Sequence, residues 1–289
     1  MSATVGVLVF GVVLALGLVV LGTRRSPEQV PDDADEADRM EHWLVDHAAR
    51  HPRLQSLIAT SDRRVVGGAA VAVSFVVIFI AALAVGAVFD SINTARGFAR
   101  WDEAIARWGP EHATTDTADL LAQLTDLGGT VYLLALMVVV GAVDWLRRRD
   151  GGSIAFLLCV GIGVSLINNG LKWLIMRERP PVDHLVGSAG SSFPSGHSAA
   201  AAACWMAMAL VVSAWVPRRW RPVVFGAAIV VACVVAASRA LLGVHWLTDV
   251  IAGLVVGWTW FLVVAIAFGG RHQRLGEPAE EISEVETSQ

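Results

Sequence analysis

Lysine is all but missing from this chain: of 22 basic residues, Lys172 is the only lysine and every other one is arginine. Charge of either sign is scarce as well. Charged residues make up 17% of the 289 positions, where a soluble domain carries about a quarter. That deficit, with 55% hydrophobic residues gathered in long runs, argues against an ordinary soluble domain and for the membrane. Cysteine is also sparse. Cys159, Cys204 and Cys233 each fall inside an apolar run, in odd number and without ligand spacing, which argues against a disulfide framework and a zinc site. Carboxylates, histidines and cysteines nowhere cluster at metal-ligand spacing, so neither a metal nor another cofactor is expected. The net charge of -4 says little, because the charges are segregated into short clusters. No nucleic-acid partner is expected, and the sequence sets no oligomeric state.

What is present is a series of apolar runs, each near the roughly 20 residues that cross a bilayer as a helix. Seven are read: Thr4–Leu21, Val66–Phe89, Thr130–Trp145, Ile154–Trp173, Ala199–Val216, Val223–Leu242 and Thr248–Phe268. The expected fold is therefore all-α, a polytopic membrane helix bundle. The first run has no basic residue before it, and Arg24 and Arg25 follow it, which suits an anchor and not a cleaved leader. Arg24–Arg25, Arg63–Arg64, Arg147–Arg149, Arg218–Arg221 and Arg271–Arg274 all fall on one side in this count, which should be the cytoplasm. The organisation expected is a transmembrane helix over 1–22 and a cytoplasmic acidic and amphipathic segment over 23–65. A membrane core over 66–269 and a disordered cytoplasmic tail over 270–289 follow. Phe98, Trp101, Ile105 and Trp108 recur at three- and four-residue steps outside the membrane. That stripe fits equally a helix in the interface and a loop helix packed on the bundle.

Three polar clusters stand at the outer ends of successive helices: Lys172 through Arg179-Pro180, Pro194-Ser195-Gly196-His197, and Ser238-Arg239 followed by His245 and Asp249. A charge near the bilayer centre costs at least about 2.5–3.5 kcal/mol, so such residues face a cavity or a partner. Lys172, Arg179 and Arg239 are three cations with only Glu178 immediately beside any of them in sequence, which implies an anion that supplies the missing negative charge. On a continuous helix, Lys172 and Arg179 would share a face two turns apart, with Pro180 ending it. Ser195 is a good N-cap and Gly196 admits close backbone approach, and a helix N-terminus favours phosphate.

If helical, His245 and Asp249 share a face, and the carboxylate holds one ring nitrogen while the other attacks. His197 then protonates the leaving oxygen and later activates water. Each piece alone has a bland reading, since a lone His–Asp pair at this spacing is more often a structural hydrogen bond. Together they supply nucleophile, orienting carboxylate, general acid and charge clamp, the needs of phosphoryl transfer. Neighbouring polar residues get the bland reading: Arg177 and Glu178 as a surface pair, with Arg177 in reach of a lipid head group, His184 and Asp183 in a loop, Asn168 and Asn169 as interhelical hydrogen bonders.

From Lys172 to Asp249 the chain resembles the type 2 phosphatidic acid phosphatase superfamily, the lipid phosphate phosphatases. Lys172, Arg179 and Pro180 match its first motif, Pro194 to His197 its second, and Ser238, Arg239, His245 and Asp249 its third, with no departure. The resemblance implies a six-helix core, with one extra N-terminal helix here. It implies a metal-independent phosphatase with His245 as nucleophile and His197 as acid. Phosphate would be bound by Lys172, Arg179, Ser195, Gly196, His197 and Arg239. A lipid phosphate at the extracytoplasmic face of the plasma membrane is the expected substrate: a polyprenyl diphosphate such as undecaprenyl diphosphate, phosphatidic acid or phosphatidylglycerol phosphate. The rivals are a phosphotransferase acting on a lipid or sugar acceptor and a non-enzymatic anion or lipid transporter.

Overall fold

The computed structural model describes residues 63–94 and 96–269. The expected first span, nearly all of segment 23–65 and the tail after 270 lie outside the described residues. The chain separates into two compact units. One includes Phe75–Ala265 and carries all three polar clusters; of the other, only helix ends at 63–74 and 266–269 are described.

Every regular element among the described residues is helical. In order they are α1 (Arg63–Thr94), a 3-10 turn (Gly97–Trp101), α2 (Asp102–His112), α3 (Thr115–Asp126), α4 (Thr130–Arg148), α5 (Gly152–Ile175), α6 (Gly196–Ser213), a second 3-10 turn (Arg218–Trp220), α7 (Arg221–Leu241) and α8 (Leu247–Gly269). Six of them (α1, α4, α5, α6, α7 and α8) are long and apolar enough to cross a membrane. The six expected spans of the core are all present, and the chain is a multi-pass membrane protein.

Helix ends follow local chemistry. Arg147 and Arg148 occupy the last turn of α4, and Arg149 closes it in the left-handed region at φ 57. The side chain of Ser195 caps α6 by accepting from the Ser198 N–H. A capping box of Thr114 and Thr117 starts α3, a helix that the apolar pattern did not reveal. At the far end from the polar clusters, buried Asp144 accepts from Trp215 Nε1 at 2.7 Å, Ser153 Oγ at 2.5 Å and Arg148 Nε at 3.1 Å.

α6 is the centre of the bundle, and small side chains make it so. Ala199, Ala201, Ala202, Ala203 and Ala207 are fully buried, which lets neighbouring helices approach closely. On α8, a Cβ at Gly257 would stand 2.3 Å from the Ala199 carbonyl oxygen, and one at Gly253 would stand 2.7 Å from that of Ser195. Those glycines, one turn apart, press the start of α8 against the start of α6. The second and third clusters are thereby held at a fixed separation.

The aromatic stripe divides. Phe98, Trp101 and Trp108 are about half exposed. Ile105 instead packs on Ala236, Ala240 and Val250. The face of α2 turned inward is Asp102, Ala106 and Gly109.

Candidate active site

The three clusters meet at one end of the bundle, at the C-terminal ends of α5 and α7 and the N-terminal ends of α6 and α8. Lys172 and Arg179 do not share a continuous helix. α5 ends at Ile175, and Met176 adopts the left-handed region at φ 47, its N–H bonding the Lys172 carbonyl at 3.0 Å. The chain turns there, and Arg179 reaches the site from the following loop.

Lys172 and Arg179 are bonded to neutral oxygens of the backbone. Lys172 Nζ donates to Ser191 O at 2.5 Å. Arg179 donates to Gly190 O at 3.1 Å, Ala189 O at 2.8 Å and Val244 O at 2.6 Å. Arg239 is buried in α7, with Nη1 3.4 Å from Thr125 Oγ1 and its Nε unpartnered. Burial lowers the Arg179 pKa below its ordinary value, an effect that Asp249 partly offsets. Neutral oxygens, carbonyls for Lys172 and Arg179 and a hydroxyl for Arg239, thus orient these cations without neutralising them, and an anion can supply the missing charge.

The start of α6 lies among these cations. The Ser195 N–H is committed to Asp249 O at 3.0 Å, and Ser195 Oγ accepts from Ser198 Oγ at 2.8 Å. What Ser195 retains for a ligand is its hydroxyl proton. Gly196 and His197 occupy the first turn, where amides have no helical partner. A Cβ on Gly196 would sit 3.1 Å from Asn168 Nδ2 and 4.0 Å from Lys172 Cε, so its absence lets α5 lie alongside this turn. His197 is half-buried, within electrostatic reach of Arg239, His245, Lys172 and Arg179.

His245 precedes α8, whose first residue is Leu247, so the pair with Asp249 is not held on one helix face. The two still meet: His245 Nδ1 stands 3.5 Å from Asp249 Oδ2, long for a hydrogen bond. On the other side, Arg179 Nη1 is 3.4 Å from His245 Nε2. A guanidinium can only donate, so Nε2 carries the lone pair and Nδ1 the proton. Burial pushes the His245 pKa down to about 4, against an upward pull from Asp249, which keeps the imidazole neutral at neutral pH. A neutral imidazole with its free lone pair beside a guanidinium is poised to attack an anion held by that guanidinium.

A further expectation is overturned near this site. Arg177 does not pair with Glu178 at the surface or turn towards a lipid head group. It is 15% exposed and points inward, donating to Asp249 Oδ1 at 2.6 Å, Thr248 Oγ1 at 2.7 Å and Asp102 Oδ2 at 2.8 Å. The early end of α5 turns it inward. Asn168 is buried, with Oδ1 unpartnered. Asp102 and Ser192 were missed altogether. Ser192 Oγ donates a short hydrogen bond to Asp249 Oδ2. Neither residue belongs to a motif, and no local spacing marks them.

A family model described as the PAP2 superfamily matches residues 152–273. Phosphatidylglycerophosphatase B of Bacillus subtilis (strain 168) is 34% identical over 165 residues, covering 56% of this chain and 81% of that protein. The crystal structure of a transmembrane PAP2-type phosphatidylglycerolphosphate phosphatase from Bacillus subtilis matches with a TM-score of 0.61 and 29% identity, covering 70% of this chain and 98% of that one. Lipid A 1-phosphatase of Rhizobium johnstonii is 36% identical over 125 residues, covering 39% of this chain and 47% of that protein. This chain belongs to the PAP2 superfamily. It is a membrane-embedded phosphatase.

Proposed function

We propose that the chain hydrolyses the phosphomonoester or pyrophosphate of a membrane lipid through a phosphohistidine at His245. The observation that carries this reading is the lone pair of His245 Nε2 beside Arg179, with Asp249 behind the other ring nitrogen. Lys172, Arg179 and Arg239 hold the phosphoryl oxygens. Nε2 attacks phosphorus, the bond to the lipid oxygen breaks, and His197 delivers a proton to that oxygen. His197, now neutral, takes a proton from water. The hydroxide attacks phosphorus, the P–N bond breaks, and inorganic phosphate leaves His245 free. The relatives act, by their names, on phosphatidylglycerophosphate and lipid A 1-phosphate. Both are phosphates on membrane lipids, and phosphatidylglycerol phosphate now stands ahead of phosphatidic acid and polyprenyl diphosphate as substrate.

The test is phosphate release by the purified protein from these three lipids in detergent. Release from at least one is expected, undiminished by excess chelator, because the three cations provide the charge stabilisation that a metal would. Vanadate should inhibit, since its trigonal-bipyramidal form fits the same cations. Silence on all three lipids, or activity lost in chelator and restored by a divalent ion, refutes the reading.

The site is proposed to face outside, opposite the arginines of α4 and the turn before α7. Gly151 and Ser188 lie on either side of α5, whose 24 residues span about 36 Å at 1.5 Å per residue. In a background with Cys159, Cys204 and Cys233 replaced, an impermeant thiol reagent on intact cells should label Ser188→Cys and spare Gly151→Cys. The reverse pattern would move the chemistry to the cytoplasm.

A further inference from the structure

We propose that Asp102 and Arg177, outside the three motifs, are positioning residues that fix the Asp249 carboxylate behind His245. The proposal rests on the reading of His245 as nucleophile. Its basis is one connected network across four segments of chain. Asp102, the first residue of α2, accepts from the Thr248 N–H at 2.9 Å through Oδ1, and from Thr248 Oγ1 at 2.7 Å and Arg177 Nη2 at 2.8 Å through Oδ2. Arg177 Nη1 donates in turn to Asp249 Oδ1 at 2.6 Å. The guanidinium lies over the Trp246 ring, 5.2 Å from its centroid. Asp102 is 4% exposed, and Thr248 and Asp249 are fully buried.

Two buried carboxylates around one guanidinium make a poor way to gain stability alone, because apolar side chains of similar volume commonly do as well. What the arrangement supplies is orientation. The last torsion of an aspartate is broad, so its carboxylate turns easily unless held. Arg177 ties down Oδ1, which leaves Oδ2 to the Trp246 N–H at 3.0 Å, to Ser192, and to the Nδ1 face of His245. A planar fork is needed, because Nη1 and Nη2 serve different carboxylates, and the point charge of a lysine cannot reproduce that. Asp102 balances the Arg177 charge, so that Asp249 keeps its own negative charge for His245. The exposed aromatic helix α2 is thereby tied to the nucleophile from 143 positions away in sequence, residue 102 to residue 245.

The roles of the two residues carry opposite electrostatic signs. The groups facing His245 are Asp249 from α8, Arg239 from α7, His197 from α6 and Arg179 from the loop after α5, with Lys172 of α5 acting on His197 and with Arg177 and Asp102 behind Asp249. The acid limb of kcat/KM reports protonation of His245, whose neutral form attacks. Asp102→Asn removes a negative charge, destabilises the imidazolium and moves that limb to lower pH. Arg177→Gln removes a positive charge, stabilises the imidazolium and moves it to higher pH. The double variant falls between them.

The experiment measures phosphate release against pH from whichever of the three lipids, in detergent micelles, the wild type hydrolyses fastest, for wild type and the three variants. Vanadate binding serves as the check of folding, because Lys172, Arg179 and Arg239 are untouched. Expected are the opposed shifts and a fall in kcat of about 10- to 100-fold, as for second-layer partners of catalytic groups. KM should change by less than about threefold, since substrate binding is not what these residues serve. Limbs that stay in place, limbs that move the same way, or a loss confined to KM overturn the proposal. If one single variant does not fold, the direction of shift in the other decides. A wild type inert on every lipid phosphate overturns the phosphatase reading and this proposal with it, whereas an active wild type with unshifted variants overturns only this one.

Discussion

His245→Ala is expected to lower kcat by roughly 10^4- to 10^6-fold, the scale seen when a nucleophile is removed from a covalent mechanism. No neighbour can substitute. Lys172 is held on a carbonyl 19 residues away, Arg179 and Arg239 are guanidinium groups without a lone pair to offer, and His197 is on α6, away from the loop that carries His245. Lipid phosphate should still bind, because the cations remain. The measurement is turnover together with acid-quenched, base-stabilised labelling from radioactive lipid phosphate, followed by peptide mapping. Label at residue 245 in wild type and none in the variant is the expected pair of results. Label on His197 would reverse the two roles.

The second large effect separates the other histidine. His197→Ala should slow lipid hydrolysis by about 10^2- to 10^4-fold, the usual worth of a general acid and base. Its origin differs from the first: attack by His245 remains available, but the lipid oxygen leaves without a proton and water is not activated. An aryl phosphate, whose leaving group needs little protonation, should recover much of the first step and none of the second. Phosphohistidine at residue 245 should then form faster than it is hydrolysed and accumulate. Equal defects on lipid and aryl substrates, with no accumulated label, would show that His197 does not act as the acid.

Much of this site was legible in the sequence, because its residues sit in short motifs at helix ends. The spans of the core were legible too, since apolar runs of bilayer length have few other readings. What escaped notice depends on where helices stop. The seven-residue step from Lys172 to Arg179 reads as two helical turns, yet α5 ends at Ile175 on a left-handed Met176. That break is local geometry without a glycine or proline at the turn itself, so nothing in the letters announced it. It also carries Arg177 inward, where the letters R-E suggested a solvent pair. Asp102 was hidden for a different reason. It lay in an aromatic stripe read for its apolar residues, and its partners are 75 and 146 positions away. Contacts at such separations have no periodicity to read.

The attachment of α2 has a thermal consequence. This helix lies beside the bundle and grips α7 so closely that a Cβ on Gly109 would stand 1.9 Å from the Leu241 carbonyl oxygen. Different parts of one fold open locally at free energies from near zero up to that of global unfolding. If Asp102 leaves with α2 when it opens, Arg177 loses its counter-charge while all the membrane helices stay folded. On warming, catalytic competence and membrane-helix structure would then vanish at different temperatures, with the chemistry going first and returning on cooling.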